Sequence, residues 1–301
     1  VMPLLIPIRR VVPLIGGLDL SLLVLLVLLQ VLGIVLGNVQ AAVLETARGG
    51  MLREGLGFDW CDVAIVTNVA DGDHLGMRGS ETLEDLVKVK SLPVRRVAPW
   101  GAAVLNAADP LVADMAQLCR GTVILFARDA ADPRLVQHRA RGGRAVFTRG
   151  GRMWLAEGPQ ERPLLEVASL PITHGGRIGF QVDNMLASAA AGWFLGLEDS
   201  VLRMALATFH SDTGTVPARF NLIEHAGATI ILDYGHNAAA LRALVEAVGS
   251  IEHERRVVVY TAAGDRRDED IIEQARILGD AFDEIVVYED QCTPGSLPRV
   301  H

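Results

Sequence analysis

The sequence predicts an α/β protein of two domains that follow an N-terminal apolar helix. A chain of 301 residues is long enough for two domains with cores of their own. After Gly37, short apolar runs alternate with amphipathic helical patterns, as in a sheet covered by helices. The composition becomes turn-like around Asp212–Pro217, which indicates a domain boundary there. The predicted segments are therefore 1–40, 41–214 and 215–301.

The composition argues against two classes of protein. With 28 basic and 36 acidic residues the formal net charge is −8, which disfavours nucleic-acid binding through bulk electrostatics. The three cysteines, Cys61, Cys119 and Cys292, are scattered and lack C-x-x-C spacing. They favour a reducing compartment, and we expect neither a disulfide scaffold nor a zinc site.

An uninterrupted apolar run covers residues 18–36, with Asp19 near its edge and Gln30 inside it. Its length is close to the ~20 residues that span a bilayer, and it has no polar face to offer to solvent. A membrane helix is the favoured interpretation, and a buried core helix is the alternative. The segment around Gly16–Ser21 also resembles the small bacterial YggT-type membrane proteins.

Each element of the first domain follows from a local pattern. Short apolar runs predict buried strands, and apolar residues at helical spacing predict helices. The predicted strands are Ala41–Leu44, Val63–Thr67, Ala102–Leu105 and Thr122–Phe126. The predicted helices are Ser80–Lys90, Val112–Cys119 and Val182–Gly196. Between residues 134 and 178, glycine-rich turns and alternating runs such as Ala145–Thr148 and Met153–Ala156 predict antiparallel hairpins.

The second domain alternates strands with helices, which predicts a parallel, Rossmann-like arrangement. Its predicted strands are Ala228–Leu232, Arg256–Tyr260 and Glu284–Tyr288, and its predicted helices are Ala238–Val248 and Asp268–Phe282. Because three strands are too few for a complete doubly wound sheet, we expect this domain to be truncated. Residues 291–301 have no periodicity and are predicted to be coil.

Polar residues after the predicted strands of the first domain are candidates for a site. Glu45 ends a strand and precedes Arg48-Gly49-Gly50, a pattern typical of a magnesium ligand near phosphate. His74 follows the next strand, where open α/β sheets bind ligands, and an ordinary surface turn is an equal alternative. Lys90 ends a helix. It either complements the helix dipole or serves as a functional amine, since Lys88 and Lys90 are the only lysines.

The second domain offers two further candidates. Asp233 and His236 stand where a predicted strand meets a helix N-terminus, a position suited to an anion or a nucleotide. The charged run Gly264–Asp270 follows a later strand in the same way. It is a solvated helix start with Asp268 as its N-cap, a binding site, or both.

Together these motifs resemble the Mur ligase family, and most closely the Mur ligase-like half of the cyanophycin synthetases. The resemblance runs from about Ala41 to Asp290, and it rests on seven motifs in the same order. The motifs are Glu45–Gly50, Thr67-Asn68 with Asp73–Gly76, Asn106–Pro110, Asp183–Ala187, Arg219–Asn221, Leu232–Asn237 and Gly264–Asp270.

This resemblance implies a Mur ligase central domain and C-terminal domain that use ATP and Mg²⁺. In the family, ATP converts a carboxylate into an acyl phosphate, and an amine displaces the phosphate to form an amide. The resemblance implies arginine as the amine and a polyaspartate-type polymer as the acceptor. It also implies a homo-oligomer, and a ligase part that acts in the cytoplasm.

The resemblance further implies roles for individual residues. The magnesium ligands would be Glu45 and His74, and the catalytic residues would be Lys90, His74 and Arg219. Lys90 matches a lysine that many relatives carbamylate into a metal-binding carboxylate. The nucleotide would be contacted by Asn106, Asp109, Arg219, Asp233 and His236, with the first two on the base side. The amino-acid substrate would be contacted by Asp265, Arg266 and Asp268.

The chain also departs from the family pattern. No G-x-x-x-x-G-K-[ST] loop precedes Glu45, and Ala218 stands where relatives usually have glycine. The ATP-grasp half of the cyanophycin synthetases has no counterpart here. We therefore expect a ligase whose activity is lost or impaired. The alternative is a non-catalytic binding module anchored to a membrane through residues 18–36, or a gene-fusion fragment.

Overall fold

The computed structural model describes residues 42–69, 82–262 and 267–288. The chain divides into two compact units, 1–47 and 48–301, and only residues 42–47 of the first unit are described. The predicted strand Ala41–Leu44 is wrong over its described part, because residues 42–47 have no regular secondary structure. Val43 is 98% exposed and Leu44 is 50% exposed. An apolar run becomes a buried strand only where a neighbour takes its backbone hydrogen bonds, and residues 42–47 have no strand partner in the described sheets.

A six-stranded sheet forms the centre of the second unit. Its strands are β1 (Cys61–Val66), β2 (Val97–Asn106), β3 (Thr122–Ala127), β4 (Arg144–Arg149), β5 (Arg152–Glu157) and β6 (Gln160–Glu166). They lie in sequence order, with β1 to β4 parallel and β5 and β6 added antiparallel. The apolar runs at 63–67, 102–105 and 122–126 and the hairpins beyond residue 134 are thereby confirmed as strands.

Seven α-helices accompany this sheet in the described part of residues 48–208. They are α1 (Arg48–Glu54), α2 (Leu83–Lys90), α3 (Leu92–Arg95), α4 (Pro110–Ala113), α5 (Pro133–Ala140), α6 (Gly179–Phe194) and α7 (Asp199–Thr208). The single helix predicted over Val112–Cys119 is wrong, because α4 ends at Ala113 and a 3-10 helix continues from Asp114 to Leu118. Short 3-10 helices also cover Val167–Ser169 and Pro171–Thr173. Helix α5 was not predicted, although Asp132-Pro133 is a typical helix start.

Both faces of the central sheet are buried. Ile124 and Phe126 of β3 belong to one core cluster, which also contains residues of α6 and α7. Leu125 and Ala127 belong to a second cluster, which contains residues of α2, α4 and α5. Because successive strand residues point to opposite faces, the two clusters lie on opposite sides of the sheet. This burial explains why the parallel strands read as uninterrupted apolar runs.

The C-terminal part contains two separate strand pairs. Its elements are β7 (Asn221–His225), β8 (Ala228–Leu232), α8 (Ala238–Gly249), β9 (Val257–Tyr260), α9 (Asp268–Ala281) and β10 (Glu284–Val287). Strands β9 and β10 pair in parallel, as predicted. The prediction that 228–232 joins them is wrong, because β8 pairs antiparallel with β7. Ala226 and Gly227 connect the two strands with φ of 50° and 80°, a geometry that suits a tight hairpin.

In the ranges that the structure describes, no helix combines the length and apolar character required to cross a bilayer. The predicted membrane helix over residues 18–36 and the predicted coil over 291–301 lie outside these ranges.

Candidate active site

Three parallel strands end in polar residues at one edge of the central sheet. Thr67 and Asn68 follow β1, Asn106 ends β2, and Arg128 follows β3. The register aligns these ends, because Val66 pairs with Leu105 and Asn106 pairs with Phe126. The carboxyl edge of a parallel sheet is where α/β proteins bind their ligands.

Asn106 and Asp109 hold the loop after β1 against the end of β2. Nδ2 of Asn106 donates to the carbonyl oxygen of Thr67 at 2.9 Å, and its Oδ1 accepts from the backbone N–H of Ala108 at 2.9 Å. Oδ2 of Asp109 accepts from the backbone N–H of Val69 at 2.8 Å, and its Oδ1 caps α4. Both side chains retain hydrogen-bonding capacity beyond these bonds.

A cleft of about 370 Å³ opens beside these two residues. Its lining residues are Asn106, Ala108, Asp109, Ala127, Arg128, Asp129, Asp132 and Asp183. The volume falls within the ~300–1,000 Å³ typical of small-ligand sites. Four carboxylates beside one guanidinium repel a triphosphate and favour groups that donate hydrogen bonds, such as amines and hydroxyls.

Arg128 connects the cleft to two helices. Its Nε lies 3.3 Å from Oδ2 of Asp183 on α6, and its Nη1 lies 3.5 Å from Oε1 of Glu246 on α8. The guanidinium occupies the space beside Gly179, where an added Cβ would lie 2.0 Å from Nη1. Glycine at this first position of α6 leaves room for the guanidinium in this conformation. Arg128 therefore joins the central sheet, α6 and the C-terminal part at one point.

Asp183 is the most perturbed acid of the cleft. Its side chain is 23% exposed. Burial raises the pKa of the carboxyl to about 6, while Arg128 lowers it and Glu246 raises it by smaller contributions. A carboxyl group with this pKa changes its charge near neutral pH, which is common for groups in binding clefts.

Lys90 reaches the same edge of the sheet from α2. The helix begins with a capping box made by Thr82 and Asp85, and it ends at Lys90 as predicted. Nζ of Lys90 donates to the carbonyl oxygen of Asn68 at 3.1 Å. Lys88 instead pairs on the exposed side of the helix with Asp85 at 3.3 Å. The two lysines therefore differ, and Lys90 is the one that contacts the loop after β1.

Arg219, Asp233 and His236 form a second polar group in the C-terminal part. The guanidinium carbon of Arg219 lies 5.7 Å from the ring centroid of Tyr234. The Tyr234 ring also contacts the ring of His236, with centroids 5.0 Å apart and an angle of 57° between the ring planes. Oδ2 of Asp233 accepts from the backbone N–H of Phe220 at 2.9 Å, and its Oδ1 accepts from Gly235 at 2.7 Å. The structure thus brings Arg219 and His236 to one exposed aromatic ring, while Asp233 bonds to the backbone of the residues that follow Arg219 and Tyr234.

Of the remaining predicted residues, two are described by the structure and three are not. Glu45 is exposed in coil directly before α1, and the strand expected to carry it is missing. Asp268 is the exposed first residue of α9, whose N-cap is Arg267 rather than the expected Asp268. His74, Asp265 and Arg266 lie outside the described residues. Within the described ranges, no group of three or more His, Cys, Asp or Glu side chains could hold a metal ion.

The sequence analysis does not single out the cleft residues Arg128 and Asp183, or Glu246, which pairs with Arg128. A signal existed for Arg128, which follows an apolar strand in the same way as the residues that were singled out. A weaker signal existed for Asp183, a lone carboxylate on an otherwise apolar stretch of α6. No local pattern in the sequence indicates Glu246, because its ion pair with Arg128 depends on tertiary packing.

Two known families match parts of the chain. Residues 218–299 match the family "Mur ligase, glutamate ligase domain". Residues 1–40 match the family CCB3/YggT. Both matches agree with the resemblances that the motifs predicted.

The chain is also similar to individual proteins over most of its length. Cyanophycin synthetase from Synechocystis sp. is 41% identical over 253 residues, which cover 84% of this chain and 29% of that protein. Cyanophycin synthetase from Crocosphaera subtropica is 39% identical over 253 residues, with the same two coverages of 84% and 29%. The chain thus spans less than a third of the length of these relatives.

A solved structure shares the fold. MurF from Acinetobacter baumannii superposes with a TM-score of 0.53 at 19% sequence identity, over 75% of this chain and 46% of that one. At this level of identity the likeness concerns architecture alone.

Proposed function

Over most of its length the chain is a cyanophycin synthetase-like member of the Mur ligase family, and on that premise we propose an ATP-dependent carboxylate–amine ligase with impaired turnover. The observation that carries the proposal is the cleft at the carboxyl edge of the central sheet. The reaction would activate a carboxylate as an acyl phosphate and join it to an amine. Such chemistry depends on positioning and charge neutralisation more than on covalent steps by the protein.

The cleft is best suited to the base and ribose of ATP. Asn106 supplies an amide that can both donate and accept, as an adenine edge requires. The carboxylates of Asp109 and Asp129 can accept hydrogen bonds from amino or hydroxyl groups. Their negative charge disfavours the phosphates, which would therefore extend away from the cleft.

The phosphates would be bound by residues outside the cleft. Arg219 offers an exposed guanidinium beside Tyr234, the half-buried ring of His236 contacts the same tyrosine, and Asp233 supports their loop. Glu45 offers a carboxylate of the kind that Mg²⁺ prefers, and His74 would be its partner ligand. When bound, the metal would neutralise phosphate charge. Lys90, once carbamylated, would add a further carboxylate near the loop after β1.

The similarity to cyanophycin synthetases supports arginine as the amine and a polyaspartate-type acceptor. Asp265, Arg266 and Asp268 are the proposed contacts for the amino acid. Turnover would be low, because no G-x-x-x-x-G-K-[ST] loop precedes Glu45 in this sequence. Removing one group that stabilises a transition-state charge typically costs about 10²–10³-fold in rate.

Ala108→Phe is expected to weaken adenosine and ATP binding at least about tenfold, a loss of about 1.4 kcal/mol. Ala108 is exposed in the cleft, so a phenyl ring there fills the proposed base site and leaves the backbone bond to Asn106 intact. Isothermal titration calorimetry with each ligand in the presence of Mg²⁺ measures the change. Ala140→Phe, at the exposed end of α5, is the matched control and should bind as the wild type does. Equal weakening in both variants, or no binding by the wild type, would contradict the proposal.

A second candidate is a non-catalytic binding module attached to a membrane. The match of residues 1–40 to CCB3/YggT favours it, because the apolar run 18–36 lies inside that match. Fractionation of cells that express the chain distinguishes the two. Recovery in a salt-washed membrane pellet, with ATP binding but no amide formation, would favour the anchored module.

A further inference from the structure

The residues on both sides of Arg219 have unusual backbone conformations. Ala218 has a φ of 57° and Phe220 has a φ of 53°. Residues with a Cβ rarely adopt this left-handed region, and two of them around one arginine indicate a conformation imposed by the surroundings. Strained backbone of this kind is concentrated at functional sites.

Three hydrogen bonds from side chains hold this strained segment, one to each of its residues, in addition to the backbone bond from the N–H of Tyr234 to the carbonyl oxygen of Ala218. The N–H of Ala218 donates to Oδ1 of Asn221 at 2.7 Å. The carbonyl oxygen of Arg219 accepts from Oγ of Ser211 at 2.8 Å. The N–H of Phe220 donates to Oδ2 of Asp233 at 2.9 Å. The backbone on both sides of the arginine side chain is therefore fixed.

Asn221 is the centre of this arrangement. Its side chain is fully buried, with an exposed fraction of 0%. Besides accepting from Ala218, its Nδ2 donates to the carbonyl oxygen of Val216 at 3.0 Å and to Oγ of Ser211 at 3.2 Å. It thereby also orients the hydroxyl that bonds to Arg219. A buried amide whose hydrogen bonds are all directed to one loop specifies the conformation of that loop.

Phe220 anchors the segment on the opposite side. Its ring is 1% exposed and lies in a core cluster with Ile178 and Ala247. Its edge-to-face contact with Phe180 has a centroid distance of 5.6 Å. With Phe220 buried and Ala218 tied to Asn221, the side chain of Arg219 is left on the outside, over the ring of Tyr234.

We propose that Asn221 is a positioning residue, which holds the segment Ala218–Phe220 in its left-handed conformation so that Arg219 is fixed in advance for an anionic group of the substrate. The identification of this anionic group as the phosphates of ATP rests on the proposed function. The fixed position of Arg219 does not depend on the proposed function, and it can be measured without any nucleotide. Fixing a binding group before the ligand arrives reduces the ordering cost of binding.

The first test measures how fast phenylglyoxal modifies Arg219 in the absence of nucleotide. Peptide mass spectrometry monitors the modification. Asn221→Leu removes all three side-chain hydrogen bonds and should accelerate modification of Arg219. Asn221→Asp keeps the acceptor for Ala218 and should give a smaller acceleration. Leu202→Ala, in the core around α7, is the matched control for lost stability and should leave the rate at Arg219 unchanged.

The second test measures ATP affinity in the same variants. Asn221→Leu is expected to weaken ATP binding about tenfold, the equivalent of 1.4 kcal/mol, whereas Leu202→Ala should not. If Asn221→Leu does not fold, then Asn221→Asp and Ser211→Ala, which removes the bond to the Arg219 carbonyl, carry both measurements.

The outcomes separate the two proposals. Faster modification of Arg219 without any ATP binding by the wild type would support the positioning role and overturn the proposed function. An unchanged rate at Arg219 in Asn221→Leu, Asn221→Asp and Ser211→Ala would overturn the positioning role, whether or not ATP binds. An increase as large in Leu202→Ala would also overturn it, since lost stability alone would then explain the effect.

Discussion

Replacing Gly121 by alanine is expected to lower the free energy of unfolding by about 3 kcal/mol or more. Gly121 directly precedes β3, and a Cβ built on it would lie 2.2 Å from the carbonyl oxygen of Gly101 in β2 and 2.8 Å from that of Ala98. Both neighbours are backbone atoms of a strand in the centre of the sheet, so they cannot move aside as the end of a side chain can. The two strands that carry Asn106 and Arg128 would have to separate.

Urea denaturation monitored by tryptophan fluorescence measures this loss. Gly279→Ala is the matched control, because Gly279 lies inside α9 and a Cβ there would meet nothing within 4 Å. That variant should be as stable as the wild type, or more stable by about 0.5–1 kcal/mol, because alanine is the better helix former. A Gly121→Ala protein with an unchanged urea midpoint would show that the close approach of β2 and β3 does not exist in solution.

Asp183→Asn is expected to change the pH dependence of stability. In the folded protein, burial raises the pKa of Asp183 to about 6, above its ordinary value of 3.8. Protonation therefore stabilises the folded state, and this contribution is complete below pH 3.8 and is lost as the pH rises through 6. The difference between the two pKa values corresponds to about 3 kcal/mol. The stability of Asp183→Asn relative to the wild type should rise by up to that amount between about pH 4 and pH 8.

Urea midpoints across this pH range measure the effect. Glu161→Gln is a control of opposite sign, because hydrogen bonds from Arg149 and Arg139 hold the pKa of the Glu161 carboxyl below its usual value. Glu161 stabilises the folded state above its ordinary pKa of 4.5, so its replacement should cost stability there and lose this effect as the pH falls. If the urea midpoints of the wild type and Asp183→Asn changed in parallel with pH, the conclusion that burial raises the pKa of Asp183 would be refuted.

The sequence predicted most of the central sheet because its physics is local. Strands buried on both faces read as continuous apolar runs, and β1, β2 and β3 were found at or near their observed positions. The run Ala41–Leu44 has the same apolar character, yet its described residues form no strand, since a strand also requires a hydrogen-bonded neighbour. Pairing partners are not encoded in a run of four residues. The same limit explains why β8 was assigned to a parallel sheet rather than to its hairpin with β7.

The residues of the candidate site also differ in whether the sequence alone could predict them. Lys90 is a candidate because it ends a recognisable helix, whereas Asn106 and Asp109 are candidates only through the family motif Asn106–Pro110. The conformation around Arg219 could not be predicted, because the side-chain hydrogen bonds to this segment come from Ser211, Asn221 and Asp233. The contact of Arg128 with Glu246 joins residues more than a hundred positions apart, and no local pattern indicates it.

We propose that this chain binds ATP as a ligase does, with impaired turnover because residues 1–44 contain no G-x-x-x-x-G-K-[ST] loop. The most direct measurement follows ATP binding and amide formation by the purified full chain with Mg²⁺, arginine and an aspartate-rich primer, beside cyanophycin synthetase from Synechocystis sp. as a positive control. We predict saturable ATP binding with product formation at least about 10³-fold slower than in the control. Amide formation at a rate comparable to the control, or the absence of ATP binding, would contradict the claim.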